Sequence, residues 1–272
     1  MSIRCALFGH PVAHSPSPEM HRLFAEQTGC DLSYETIDTE PGNLASALDV
    51  FATENGHGGN ITLPLKEEAL CVCGDLSDRA REAVAVNTVL RTEKESWRGD
   101  NTDGMGLVRD LTGNAHIKVF DRRVLVVGAG GAARGIVPAL LSEKVSALVV
   151  VNRGVERAEE IAGRFADVRA MSFEDVASDG PYDIIINATS MGHAEEAPPL
   201  PDGIVGAAGC CYDLSYGALA EPFLRWARLQ GALHVLDGVG MLVEQGAESF
   251  FLWTGKRPDT PRVIAAMQQR VA

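Results

Sequence analysis

The stretch Arg123-Val124-Leu125-Val126-Val127-Gly128-Ala129-Gly130-Gly131-Ala132-Ala133 decides the fold. Four consecutive apolar residues, Val124 to Val127, suit a central parallel strand covered on both faces. The glycines follow at once. Gly128 permits a tight turn, Gly130 lets backbone approach a pyrophosphate, and Ala133 stands where close helix packing allows only Gly or Ala. The free N–H groups of Gly131 and Ala132 then open a helix toward an anion. A glycine-rich turn can be purely structural, but strand, turn and helix arrive here in the order that a dinucleotide site requires. Pro138 inside that helix predicts a kink beyond the phosphate turn.

Working outward, the next apolar run, Ala147 to Val151, predicts a second strand whose end holds the adenosine ribose, about 20 residues past the glycines. An NAD site would carry a carboxylate there. This chain has Asn152-Arg153 and, one turn on, Arg157. Two guanidiniums can pair with the 2′-phosphate of NADP through bonds of roughly 1.5 to 3 kcal/mol each. The alternative is an ordinary solvated pair at a helix start. NADP(H) is the expected cofactor.

Further short apolar runs, at Ile3–Phe8, Gly59–Leu63, Val86–Leu90, Asp183–Ile186 and Cys210–Leu214, alternate with helical patterns. Alternation of this kind predicts βαβ units and mainly parallel sheets, an α/β fold. Met241–Trp253 and Pro261–Val271 read as two closing helices. A domain boundary is expected near Asp103–Gly106, where polar sequence turns apolar and periodic.

Bulk properties narrow the partners. With 272 residues and 46% apolar content the chain can build one large domain or two modest ones. A net charge of −13 argues against nucleic acid, which needs phosphate-neutralising Lys and Arg clusters. Six cysteines show neither zinc nor redox spacing, so buried thiols in a reducing cytoplasm are expected, with no metal. No apolar stretch reaches membrane-spanning length, and no targeting segment is evident.

The first half carries polar residues at predicted strand ends. His14-Ser15-Pro16-Ser17-Pro18 presents two hydroxyls suited to a carboxylate, although Ser17 could equally be a helix cap. In Asn60-Ile61-Thr62-Leu63-Pro64-Leu65-Lys66, Asn60 and Thr62 share a strand face. Lys66 is expected in the first turn of a following helix, where the helix dipole favours its neutral form. Most lysines are merely solvated, but one poised by its surroundings can serve as general acid or base. Asn87 ends another strand and Asp103 ends the polar loop Gly99 to Gly104; a carboxylate near Lys66 could orient it.

These residues together resemble the shikimate dehydrogenase family. The resemblance rests on Gly9-His10-Pro11 with His14 to Pro18 and His21, Asn60 to Lys66, Ala85-Val86-Asn87-Thr88, Gly99 to Gly104, Gly128 to Arg134, Asn152-Arg153, Asn187-Ala188-Thr189-Ser190, Tyr212-Asp213 with Tyr216, and Asp237 to Leu242 with Gln245. It implies NADPH-linked reduction of 3-dehydroshikimate to shikimate, with Lys66 and Asp103 as the acid/base pair. It implies a substrate carboxylate at Ser15 and Ser17, and substrate hydroxyls near Asn60, Thr62, Asn87, Asp103, Tyr216 and Gln245. The cofactor would contact Gly128, Ala129, Gly130, Gly131, Ala132, Asn152, Arg153, Arg157, Asn187, Thr189, Ser190, Leu214, Gly238 and Met241, with Asp78 at a weakly specific family position. The implied architecture is an N-terminal substrate domain (1–104 and 240–272) and a Rossmann NADP-binding domain (105–239) with a cleft between them, in a cytoplasmic monomer or homodimer.

Three positions depart from the family pattern. Gly154 replaces a common threonine in the adenine-side loop and removes a hydroxyl donor, Leu214 replaces a frequent methionine, and Arg22 stands where asparagine is common. The rivals are an NAD-linked quinate/shikimate dehydrogenase, against which Ser17, Arg153 and Arg157 count, and a catalytically silent sensor, disfavoured by retention of both Lys66 and Asp103. A folate-linked or other amino-acid dehydrogenase would share the cofactor turn but gives Ser15, Thr62, Asn87 and Asp103 no role.

Overall fold

In the computed structural model, which describes residues 2–271, the chain forms two compact units. One takes the residues up to Leu107 together with Leu242–Arg270, the other Val108–Met241 with Val271. The sequence puts the crossings at 104/105 and 239/240. The first falls inside the helix Asp103–Arg109, which runs straight into a π-helical turn at Asp110–Asn114, and the second inside the helix Val239–Thr254. Continuous helix carries the chain across both points, so neither loop composition nor a Pro/Gly break marks them.

The first unit holds a six-stranded sheet: β1 Ile3–Gly9, β2 Leu32–Asp38, β3 Gly56–Ile61, β4 Asp75–Leu76, β5 Thr88–Arg91 and β6 Trp97–Asp100, in the order β2-β1-β3-β5-β6-β4. β1 runs parallel to β2 and β3, and β4 to β6, whereas β5 is antiparallel to both its neighbours. Gly99 and Asp100, expected in a polar loop, therefore belong to a strand: β6 pairs Val89 with Gly99 and Thr88 with Asp100. The pairing partner supplies the backbone hydrogen bonds, and no local pattern announces it.

β3 starts three residues before the predicted Gly59 because Gly56-His57-Gly58-Gly59 reads locally as a turn. The missing side chains make room for large rings: a Cβ at Gly56 would meet the Phe51 ring at 2.2 Å and one at Gly58 would meet Trp253 Nε1 at 2.4 Å. Trp253 instead lies against the strand and donates to the Val89 carbonyl at 3.0 Å. Helix Leu44–Thr53 buries Leu44, Leu48 and Phe51 with Phe8, Ile61 and Val89 in the main core.

The second unit is a six-stranded, wholly parallel sheet: β7 Arg123–Val127, β8 Ala147–Val151, β9 Val168–Met171, β10 Tyr182–Asn187, β11 Val205–Asp213 and β12 His234–Leu236, in the order β12-β11-β10-β7-β8-β9. This is the doubly wound order in which strand succession reverses between β7 and β10, and ligands of such sheets bind at the carboxyl ends of the strands beside that reversal. The near-continuous apolar strands are buried on both faces, as parallel strands must be. Helix Gly131–Ser142 carries Pro138, the residue expected to kink it, in its interior and continues past it to Ser142. Cys5, Cys210 and Cys211 are buried, but Cys71 is exposed, contrary to the expectation for all six; none is in a disulfide. Among the described residues no helix is long and apolar enough to cross a membrane.

Candidate active site

In the first unit, Lys66 and Asp103 meet. Lys66 Nζ donates to Asp103 Oδ2 at 2.6 Å, with both side chains largely buried. Asn87 Nδ2 donates to the other carboxylate oxygen at 2.7 Å, so both oxygens of Asp103 are held. Asn87 Oδ1 is fixed in turn by the Thr102 N–H and the Thr88 hydroxyl, each at 2.8 Å. Gln245 Oε1 lies 3.2 Å from Asn87 Nδ2 and places a residue of the helix Val239–Thr254 in the same cluster.

Lys66 is not in a helix. It lies in a turn three residues before the short helix Ala69–Val72, so the expected dipole effect has no source, and the position of its ammonium comes from Asp103 instead. The loop ahead of Asp103 is anchored at Asp100, a buried carboxylate gripped by Arg79 (2.8 and 3.0 Å) and by the Ser77 hydroxyl (2.6 Å). Asp78 is exposed at the start of the helix Asp78–Ala83, where an acid suits the helix dipole.

Ser15 and Ser17 present adjacent hydroxyls, 3.1 Å apart. Ser17 does not cap the helix Ser17–Thr28; Pro16 occupies the cap position, and the Ser17 N–H is taken by Ser15 Oγ at 3.2 Å. Arg22 gains a physical account here, bridging Glu19 and Glu26 on the exposed helix face. Thr62 is half-buried immediately after β3. Asn60 is buried and already engaged: Nδ2 donates to Ser249 Oγ at 2.9 Å, and Oδ1 accepts from the Tyr34 hydroxyl at 2.8 Å. Tyr34, Thr88, Thr102 and Ser249 thus support the cluster, a role that local sequence does not announce because most of their partners lie in distant segments.

In the second unit the glycine turn joins β7 to the helix Gly131–Ser142 at the strand-order reversal. Gly128 has φ +108°, and a Cβ there would press on the Ala188 carbonyl at 2.9 Å, so glycine is obligatory. Gly130 is different. Its backbone is extended (φ −85°) and an added Cβ would meet nothing within 4 Å. Neither conformation nor packing within the chain demands glycine at 130, as expected where backbone must approach a pyrophosphate. Ala129 is buried, while Ala132 is only half-covered at the helix start.

At the end of β8, Asn152 Nδ2 donates to the Gly154 carbonyl at 2.9 Å and shapes the loop. Arg153 is exposed and, among the described residues, makes no ion pair; Arg157 is exposed on the following helix, Val155–Ala162. Beyond β10, Asn187 Oδ1 receives the N–H (3.1 Å) and hydroxyl (2.8 Å) of Thr189, next to exposed Ser190. Asn187 Nδ2 donates to Asp213 Oδ2 at 2.8 Å. Burial pushes the Asp213 carboxyl up to about 7, opposed by bonds from Ser215 and Asn187 and reinforced by the Asp237 carboxylate. Leu214 follows β11, and Gly238 and Met241 flank the start of the helix Val239–Thr254. Tyr216 precedes the short helical turn Gly217–Leu219 in this second unit, while the other predicted substrate residues belong to the first.

Comparison with known proteins identifies the family. The shikimate dehydrogenase substrate-binding domain matches residues 7–89, the shikimate/quinate 5-dehydrogenase family residues 111–195, and the shikimate 5′-dehydrogenase C-terminal domain residues 238–268. A protein named shikimate dehydrogenase (NADP(+)) from Xanthomonas euvesicatoria is 50% identical over 99% of this chain and 96% of its own. Among solved structures, the Ael1 enzyme of Pseudomonas putida superposes with a TM-score of 0.90 at 38% identity, over 97% of this chain and 98% of that one. Shikimate 5-dehydrogenase of Thermus thermophilus, solved in complex with NADP(H) and shikimate, gives 0.86 at 36% identity, over 99% of this chain and all of that one. With half its residues shared with such a relative across nearly its full length, the chain belongs to the shikimate dehydrogenase family.

Proposed function

We propose that this chain is an NADP-dependent shikimate dehydrogenase that interconverts 3-dehydroshikimate and shikimate. The observation that carries the reading is the Lys66–Asp103 pair at 2.6 Å, held from behind by Asn87. Bound NADPH supplies the hydride. Lys66 donates a proton to the substrate oxygen as the carbonyl becomes a hydroxyl, and accepts it in the reverse direction. Asp103 orients the ammonium and steadies its charge, and Asn87 keeps the carboxylate from turning away. General acid–base assistance of this kind contributes typically about 10²- to 10⁴-fold.

Ser15 and Ser17 bind the substrate carboxylate through their paired hydroxyls. Thr62, Asn87, Tyr216 and Gln245 recognise its hydroxyls; Asn60, spent on Tyr34 and Ser249, acts mainly by holding the wall in shape. Gly128 to Ala132 receive the pyrophosphate, Arg153 and Arg157 the 2′-phosphate, and the segments at Asn187–Ser190, Leu214, Gly238 and Met241 the nicotinamide end. The net charge of −13 and the free thiols fit an enzyme of small metabolites working in the cytoplasm.

A rate matrix of shikimate and quinate against NADP and NAD tests the assignment. Shikimate with NADP is expected to be fastest by a wide margin. Rates as high with quinate, or with NAD, would overturn the substrate or the cofactor assignment respectively. The 5-ketofructose reductase of a Gluconobacter strain is 30% identical with a TM-score of 0.82, so 5-ketofructose belongs in the matrix as a third substrate.

A further inference from the structure

Tyr212 and Asp213 end β11, and the reaction described above gives neither of them a part. They are successive strand residues, so their side chains leave opposite faces of the sheet. Both are essentially inaccessible to solvent, and each holds a different segment at the carboxyl end of the sheet.

Tyr212 donates its hydroxyl to Asp110 Oδ2 at 2.6 Å and accepts the Met241 N–H at 3.2 Å. Asp110 opens the π-helical turn Asp110–Asn114, and its other oxygen accepts from Asn114 at 2.9 Å. π-turns inside helices are rare and concentrate at functional sites. Gly240 closes the packing from the other side: a Cβ there would lie 1.9 Å from Asp110 Oδ1, so the helix start at Val239 can approach the carboxylate only as glycine. The Tyr212 hydroxyl therefore ties the first turn of the helix Val239–Thr254 to the strand.

Asp213 holds the other segment. Its Oδ2 accepts from Asn187 Nδ2 at 2.8 Å, which turns Asn187 Oδ1 toward the Thr189 N–H and hydroxyl. Its Oδ1 accepts the Ser215 N–H at 2.8 Å, and the Ser215 carbonyl accepts the Gly238 N–H at 2.8 Å. One carboxylate thus sets both the Asn187–Ser190 turn and the backbone leading to Gly238.

We propose that Tyr212 and Asp213 are positioning residues for the nicotinamide half of the cofactor, fixing from one strand end the two segments, Asn187–Ser190 and Gly238–Met241, that receive it. This rests on the assignment of NADP to that end of the sheet. It predicts a weakness confined to one half of the dinucleotide, since among the described residues neither side chain hydrogen-bonds to the glycine turn or the arginine loop.

The test is equilibrium binding of NADP and of adenosine 2′,5′-bisphosphate, which lacks the nicotinamide half, to the full chain and to Tyr212→Phe, Asp110→Asn and Asp213→Asn. Binding is measured at a temperature where circular dichroism shows each variant folded. NADP Kd is expected to rise by about 5- to 50-fold at unchanged stoichiometry, the bisphosphate Kd to stay within about twofold, and the KM for shikimate to stay near wild type. A merely structural role would instead lower the number of binding sites and leave Kd unaltered, and that result overturns the proposal. Equal weakening of both ligands, or wild-type NADP affinity in all three variants, overturns it too, while leaving the NADP assignment standing. Failure of the wild-type chain to bind either ligand would remove the assignment itself.

Discussion

Lys66 Nζ stands 2.6 Å from Asp103 Oδ2, and the two residues are separated by 37 positions in the chain. The ammonium is carried by a turn, outside any helix, and the carboxylate opens a helix whose N-terminus suits an acid. Each group therefore depends on the other for its placement. Lys66→Ala is expected to lower kcat by about 10²- to 10⁴-fold with NADP affinity unchanged. Asp103→Asn keeps the shape but removes the counter-charge and should also lower kcat by at least about tenfold. Single-turnover rates measure both, and a near-normal kcat in Lys66→Ala would take that residue out of the chemistry.

Arg153 lies exposed at the end of β8 and, among the described residues, has no carboxylate paired with it. Its removal should chiefly affect the cofactor that carries a 2′-phosphate. Arg153→Ala is expected to raise the KM for NADP by about tenfold or more while the KM for NAD changes little. An equal effect on both cofactors would place the 2′-phosphate elsewhere.

Gly154 occupies the cap position of the helix Val155–Ala162 without a side chain to cap it, and its φ of −94° suits any residue. A Cβ there meets only the end of the Glu156 side chain, at 3.2 Å, which can swing aside. Gly154→Thr should therefore be tolerated and supply a hydroxyl beside Arg153. The KM for NADP should fall by about threefold or more, since a hydrogen bond is worth about 1 kcal/mol. A rise in KM would show that Glu156 is driven toward the phosphate instead of away from it.

His21 is wholly buried and stacked on Tyr34 with ring centroids 4.2 Å apart, and among the described residues neither ring nitrogen meets a partner in hydrogen-bonding geometry. Burial lowers its pKa to about 3, opposed by the neighbouring Asn60 side chain. The unfolded chain binds a proton at His21 below about 6.5 and the folded chain does not until about 3. Stability contributed by neutral His21 is therefore complete above about 6.5 and declines as pH falls, at roughly 1.4 kcal/mol per unit across that window. His21→Phe keeps the stacking, should flatten the acid limb of a denaturation profile between pH 6 and 4, and should not destabilise at pH 8. An unchanged acid limb would exclude His21 as its cause.

Much of the second unit was legible from sequence, and the reason is locality. β7, the glycine turn and its helix form one continuous segment, so the periodicity, Gly128 and Ala133 carry their meaning without reference to distant residues. The strand limits at Arg123–Val127 and Ala147–Val151 came out as predicted for the same reason. β2, β4, β6, β9 and β12 were invisible, being short or polar and defined by neighbours supplied from elsewhere in the sheet.

Sequence was enough for a mainly parallel α/β chain with a dinucleotide turn, an arginine pair in the place of an acid, and a set of polar residues with the residue types of an acid–base site. Only the tertiary structure decided which of those residues meet. It joined Lys66 to Asp103 and Asn87, turned Asn60 inward toward Tyr34 and Ser249, withdrew the helix dipole from Lys66, and tied Tyr212 to Asp110 and Met241. A side chain's local pattern fixes the element it rides on, but its partners are set by sheet order and by the helices crossing that sheet, and those follow from burial of the whole core at once.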